Sequence, residues 1–184
     1  MKKITFNSPV VLTFALVSAC ALAAGLLTNG RSNLLLFSVY KGSFTDPLFY
    51  VRLFTHVLGH ASISHYCNNM ILILLVGPLL EEKYGSGRLA GIIAAVAFIT
   101  GIVHILLPGN SALLGASGVV FAVILLSSVT GSGKGLPLTT IIVAFIYITQ
   151  QVYEGVFAAD NISQLTHIIG GTIGAVYGLT MKKK

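Results

Sequence analysis

The sequence predicts an all-α integral membrane protein: a bundle of six transmembrane helices with a partly membrane-embedded outer loop between the first two. Three observations carry this expectation. The 184 residues are 55% hydrophobic and 9% charged, with a mean hydropathy of +0.90, so lipid is the solvent for most of the chain. Apolar runs recur at lengths that suit helices in a hydrocarbon layer about 30 Å thick. The cations sit at chain ends and turns, where they act as topology signals.

The first span is expected at Pro9–Leu27. Lys2-Lys3 ahead of an apolar stretch, with Val17-Ser18-Ala19-Cys20 faintly resembling a lipoprotein cleavage site, offers a signal peptide as the competing reading. Apolar residues continue to Leu27, however, and cleavage would leave five spans with the terminal lysines outside, so the span is expected to be retained. Asn29 to Ser64 is too polar to cross, with Arg31, Lys41, Asp46, Arg52, His56 and His60, yet rich in Leu, Phe and Tyr; an outer loop lying partly in the interface fits it.

The remaining spans are expected at His65–Leu80, Leu89–Leu107, Ser117–Thr130, Leu136–Tyr153 and Ile162–Met181. Six crossings place Lys2, Lys3, Lys83, Arg88, Lys134, Lys182, Lys183 and Lys184 on one side, against Arg31, Lys41 and Arg52 on the other. That asymmetry puts both termini in the cytoplasm, and a bacterial cytoplasmic (inner) membrane is the expected location. Residues 1–184 are expected to form one integral membrane domain without a soluble appendage.

A formal charge of +6 could suggest nucleic acid, but no basic stripe with interleaved aromatics is present, so membrane lipid is the expected environment and nucleic acid is not an expected partner. Cys20 and Cys67 lie in or beside apolar stretches, where a disulfide is not expected. No repeat or low-complexity tract stands out, and Gly131-Ser132-Gly133-Lys134-Gly135 is a plain connector.

The fourth span is the informative one. Ser117 to Thr130 rises only about 20 Å, so with its inner end at the boundary Ser117 lies about 10 Å below the outer one. Pro108–Ala116 must then dip inward as loop, which only surrounding protein or a water-filled cavity permits. The same ruler puts His167 at about 9 Å, and His65 and Asn69, four apart on one helix face, at about 8 and 13 Å. Four polar groups from three helices share one layer.

Their chemistry follows from type. A serine is a weak nucleophile until a base takes its proton, and His167 is the one histidine in the last three spans. The acids, Asp46, Glu81, Glu82, Glu154 and Asp160, all lie in loops or at helix ends, which favours a Ser–His dyad over a triad. Candidates for stabilising an oxyanion are the Ser117 N–H, His65 and the Asn69 amide. Gly115 and Gly118 allow close approach of backbone and substrate. Gly170, Gly174 and Gly178 form a small-residue ridge for close helix packing.

In this set the chain resembles the rhomboid intramembrane serine proteases. The residues that carry the resemblance are Arg52, His56 and His60 in the outer loop, His60-x4-His65-x3-Asn69 entering the second span, Glu81 followed by Gly85-Ser86-Gly87-Arg88, Gly115-x-Ser117-Gly118, and His167-x2-Gly170-x3-Gly174. The resemblance implies a rhomboid-like bundle in which Ser117 is nucleophile and His167 general base. It implies that His65, Asn69 and the Ser117 N–H form the oxyanion site, and that the substrate is another protein's transmembrane segment, cut near the outer face at small residues. Two positions depart from the pattern. The Trp-Arg pair frequent in the outer loop is Val51-Arg52, which leaves that loop's anchoring open, and the aromatic four residues after the serine, commonly Tyr, is Phe121, which can still stack on His167.

Blander roles compete. A Gly-x-Ser-Gly alone is more often a packing motif. His56, His60 and His65 have ligand-like spacing, but no Cys or acid completes the set, so no metal and no cofactor is expected. His60 is expected to support the outer loop, His104 to be interfacial, Asn68 to be a helix-packing amide, and Glu81, Glu82, Lys83 and Arg88 to form a cytoplasmic cap in which Glu81 ties helix ends together. Tyr153, Glu154 and Phe157 precede the last span, where by analogy a loop could cover the site. An inactive binder of transmembrane segments would lack Ser117 or His167, and a transporter would want a membrane-embedded carboxylate.

Overall fold

A computed structural model of the chain describes residues 6–130, 138–157 and 161–180. Lys2, Lys3, the 131–135 connector with Lys134, Leu136, Asp160, Met181 and the C-terminal lysines lie outside these residues. The described chain is helical, with one isolated antiparallel bridge between Val39 and Leu113.

Helix α1, Pro9–Leu27, opens on a proline, whose missing N–H is no loss in a first turn. The next two amides, Val10 and Val11, donate to the two oxygens of Glu81, each at 3.0 Å. The Ser86 hydroxyl donates to the same carboxylate at 2.7 Å. A buried acid from α4 therefore caps α1 and holds the first residue of α5, a favourable charge for a helix N-terminus. Glu81 is the helix-end tie the sequence suggested.

That tie explains where α4 and α5 differ from expectation. Helix α4 runs Ile63–Tyr84 rather than His65–Leu80. Its start is set by Ser62, whose hydroxyl accepts the His65 N–H at 3.1 Å. Its last turn survives Pro78 and its charges because Glu81 and Tyr84 are buried. Gly85, at φ +87°, turns the chain at once into α5, Ser86–Leu106, so α5 begins three residues before the predicted Leu89.

The segment expected as the outer loop folds as two short helices, α2 (Arg31–Leu36) and α3 (Pro47–Thr55), with a 3-10 turn at His56–Leu58. Arg52 is 3% exposed and pairs with Asp46 at 2.7 Å. It also donates to the Leu35 carbonyl at 3.4 Å and lies 4.5 Å over the Tyr40 ring. Phe49 and Leu53 from the same face join Val39 and pack against Ile102, Ile105 and Leu113. Val51 faces outward, so anchoring falls to the Arg52 face of α3 and needs no aromatic at position 51.

Helices α1, α4 and α5 are long and apolar enough to cross a membrane. Helix α6, Ser117–Thr130, is apolar but only 14 residues long. Helices α7, Leu138–Phe157, and α8, Asn161–Thr180, have 20 residues each; α7 starts two residues after and ends four residues past the predicted Leu136–Tyr153, and α8 matches Ile162–Met181 to one residue at each end. Helix α6 touches α4, α5, α7 and α8, and Val119, Val120, Ala122, Val123, Leu126 and Val129 are all buried. Apolar side chains such as Ile71, Leu75, Leu79 and Phe145 are exposed on the outer helices, as lipid contact requires. The result is a multi-pass membrane protein built around a short central helix.

Candidate active site

The central helix begins at Ser117, and the Ala116 carbonyl already accepts its first helical bond, from the Val120 N–H at 2.9 Å. The Ser117 N–H thus stands in the first turn, outside the helical ladder and at its positive end. Ser117 Oγ lies 2.6 Å from His167 Nε2 on α8. With the imidazole neutral and its proton on Nδ1, the hydroxyl donates to Nε2, the geometry in which a base can remove the serine proton. Phe121, one turn along α6, meets the His167 ring at 5.3 Å between centroids, tilted by 47° rather than stacked.

Glycines set how closely α6 and α8 approach. A Cβ on Gly170 would lie 2.4 Å from the Gly118 carbonyl oxygen, and one on Gly174 would lie 2.1 Å from that of Ala122. Gly178 faces the side chains of Leu126 and Val129 at 3.2 Å. The predicted ridge is therefore the contact surface for the serine helix. Gly118 differs from expectation: its own Cβ would make ordinary contacts of 3.6 Å with Thr100 and Val96, and it is its backbone that meets Gly170.

Gly115 has φ +131°, a conformation that L side chains rarely adopt. A Cβ there would collide with the His65 ring at 2.8 Å and stand 3.9 Å from Ser117 Oγ. His65 and Ser117 thus border one point above a bare backbone. One turn further along α4, Asn69 is buried, and its Nδ2 has no partner among the described residues. An unpaired buried amide donor is costly to keep unless something else takes its hydrogen bond.

His60 and His56 stabilise the surroundings. His60 is buried; its Nδ1 donates to the Leu58 carbonyl at 3.1 Å, and its ring stands edge-on to His65 at 5.0 Å. His60 also accepts through its own carbonyl from the Asn33 amide, which fastens α2 to the entry of α4. His56 Nε2 donates to the Ala97 carbonyl at 3.0 Å, and the His56 carbonyl accepts the Gly115 N–H at 2.9 Å. Burial pushes both imidazoles down to about 4, with the Ala97 bond opposing that at His56 and the His65 ring adding to it at His60. Both are neutral at pH 7.

Two expectations fail. His104 is buried rather than interfacial, and its Nε2 donates to the Ser111 carbonyl at 3.0 Å. Asn68 is exposed on α4, one residue off the packed face that carries Asn69. Buried Thr100 and Thr166 border Ser117 together with His56 and Gly115, leaving about 10 Å³, the space of one water. The sequence had drawn no attention to either threonine, although Thr100 and His104 share a helix face. The larger groove, about 550 Å³, lies between α1 and α5, away from the serine. Tyr153, Glu154 and Phe157 fall in the last turns of α7.

Comparisons with known proteins agree with this architecture. A family model of the Rhomboid domain matches residues 48–184. Rhomboid protease GluP of Bacillus subtilis (strain 168) is 36% identical over 129 residues, covering 68% of this chain and 25% of that protein. Rhomboid-related protein 1 of Caenorhabditis elegans is 28% identical over 137 residues, 69% of this chain and 38% of that protein. Rhomboid-like protease 3 of Toxoplasma gondii is 27% identical over 108 residues, 59% of this chain and 41% of that protein. The chain thus spans from a quarter to two fifths of the length of these relatives. With the Rhomboid match running from α3 through the serine helix to residue 184, this protein belongs to the rhomboid family.

Proposed function

We propose that this chain is an intramembrane serine endopeptidase that hydrolyses peptide bonds in or near transmembrane segments of other proteins. The observation that carries the proposal is the 2.6 Å approach of Ser117 Oγ to His167 Nε2 at the start of an enclosed helix. In this reading His167 takes the hydroxyl proton as Oγ attacks the scissile carbonyl carbon. The new oxyanion accepts hydrogen bonds from the Ser117 N–H, His65 and the Asn69 amide, whose Nδ2 has no partner among the described residues. His167 then gives the proton to the leaving amine, and water hydrolyses the acyl-enzyme by the same base. No carboxylate is needed behind the imidazole. Gly115 keeps the approach bare, while Gly118, Phe121, Gly170, Gly174 and His60 hold the serine and histidine helices and the loop in register.

The membrane arrangement belongs to the same proposal. Helices α1, α4, α5, α6, α7 and α8 are the six crossings, with both termini cytoplasmic in a bacterial inner membrane and the serine opening to the outer side. Residues 1–184 act as one protease domain. The test is cleavage of a model transmembrane substrate by purified protein, together with labelling of Ser117 by a fluorophosphonate. Ser117→Ala and His167→Ala should each abolish both. Cleavage by Ser117→Ala at the wild-type rate would refute the mechanism; an unlabelled, inactive wild type would favour a rhomboid-like binder of transmembrane segments.

A further inference from the structure

Residues 107–116 link α5 to the serine helix, and their placement decides where Ser117 stands. Three of the bonds that hold them are between backbones: the reciprocal Val39–Leu113 pair, 2.9 Å in each direction, and Gly115 N–H to the His56 carbonyl at 2.9 Å. A fourth comes from a side chain. His104, in the last turn of α5, reaches the Ser111 carbonyl at 3.0 Å through Nε2. A carbonyl only accepts, so Nε2 carries the proton and the ring is committed to one tautomer.

His104 is 6% exposed, and its Nδ1 has no partner among the described residues. An apolar side chain would fill this place without leaving a buried nitrogen unsatisfied. What the imidazole adds is the bond to the loop. From Ser111 the chain runs through the Leu113 bridge to Gly115, whose backbone lies against the His65 ring, and two residues on it reaches Ser117.

We propose that His104 is a positioning residue, a latch that acts through the Ser111 carbonyl to hold Gly115 against His65 and Ser117 against His167. The proposal rests on the reading of Ser117 as nucleophile.

The experiment compares wild type, His104→Leu and His104→Gln in detergent, by fluorophosphonate labelling of Ser117 and by kcat and KM on a transmembrane substrate. The glutamine amide can donate to Ser111; leucine fills similar space and cannot. Misplacing the nucleophile predicts that His104→Leu slows labelling and kcat by about 10-fold or more with little change in KM. His104→Gln should recover most of the rate. Should the leucine variant fail to fold, His104→Met removes the donor with a more adaptable side chain. Wild-type labelling by the folded apolar variant, or a glutamine variant as slow as it, would overturn the latch. A wild type that Ser117 probes do not label would instead remove the nucleophile reading, and the latch with it.

Discussion

The contact between α6 and α8 gives the sharpest test of how this fold supports the proposed Ser117–His167 dyad. In Gly170→Ala the added Cβ would sit 2.4 Å from the Gly118 carbonyl oxygen and 2.9 Å from Gly118 C and Cα, against at least 3.4 Å for ordinary contact. The obstacle is backbone, which cannot rotate aside, so α8 must withdraw by about 1 Å along that line. His167 lies three residues before Gly170 on the same helix. If the shift is transmitted in full, its 2.6 Å bond to Ser117 lengthens to about 3.6 Å, past the range of a hydrogen bond. The expected cost is about 1–3 kcal/mol of stability and about 100-fold in turnover.

Gly178→Ala is the control, since the nearest atoms to its Cβ would be side-chain atoms of Leu126 and Val129, at 3.2–3.4 Å. Thermal unfolding in detergent, fluorophosphonate labelling and substrate cleavage would be measured on both variants. Gly170→Ala should lose far more rate than its folded fraction explains, and Gly178→Ala should stay within a few-fold of wild type. A Gly170→Ala protein with wild-type labelling and turnover would refute the claim that this glycine sets the dyad distance.

Other perturbations test the frame. Glu81→Ala removes the acceptor for two α1 amides and Ser86; unfolding in micelles should show a loss of about 1–3 kcal/mol, with Ser117 labelling of the folded fraction unchanged. Asp46→Asn leaves the buried Arg52 without its counter-charge, and limited proteolysis should find cleavage within residues 41–46 accelerated while the helices stay protected. Acid should destabilise the protein. His56 and His60 are held near 4 when folded against an ordinary 6.5, so between those values the unfolded chain binds protons that the folded chain does not. Stability is therefore full above about pH 6.5 and falls as pH drops toward 4, with His56 alone accounting for up to roughly 3 kcal/mol. Asp46 lies below its ordinary value, chiefly through its bond to Arg52, so its contribution is lost only at still lower pH. An unfolding midpoint that stays level from pH 7.5 to 4.5 would contradict the buried, neutral histidines.

The sequence by itself determined the class of solvent, the helical runs, Ser117 and His167 as a candidate pair, and the glycine ridge, because each depends on local composition, residue type and a fixed rise per residue. It located α1 and α6 residue for residue. Only the tertiary structure decided where α4 ends, since the Glu81 carboxylate looks like a surface charge until the α1 amides are brought to it. Only the fold likewise separated Asn68 from Asn69, removed the need for an aromatic at Val51, and turned His104 from an interfacial residue into a buried ligand of Ser111. These outcomes share one physical reason: a polar group in a membrane helix takes its role from the partner that satisfies it, and that partner comes from a distant part of the chain.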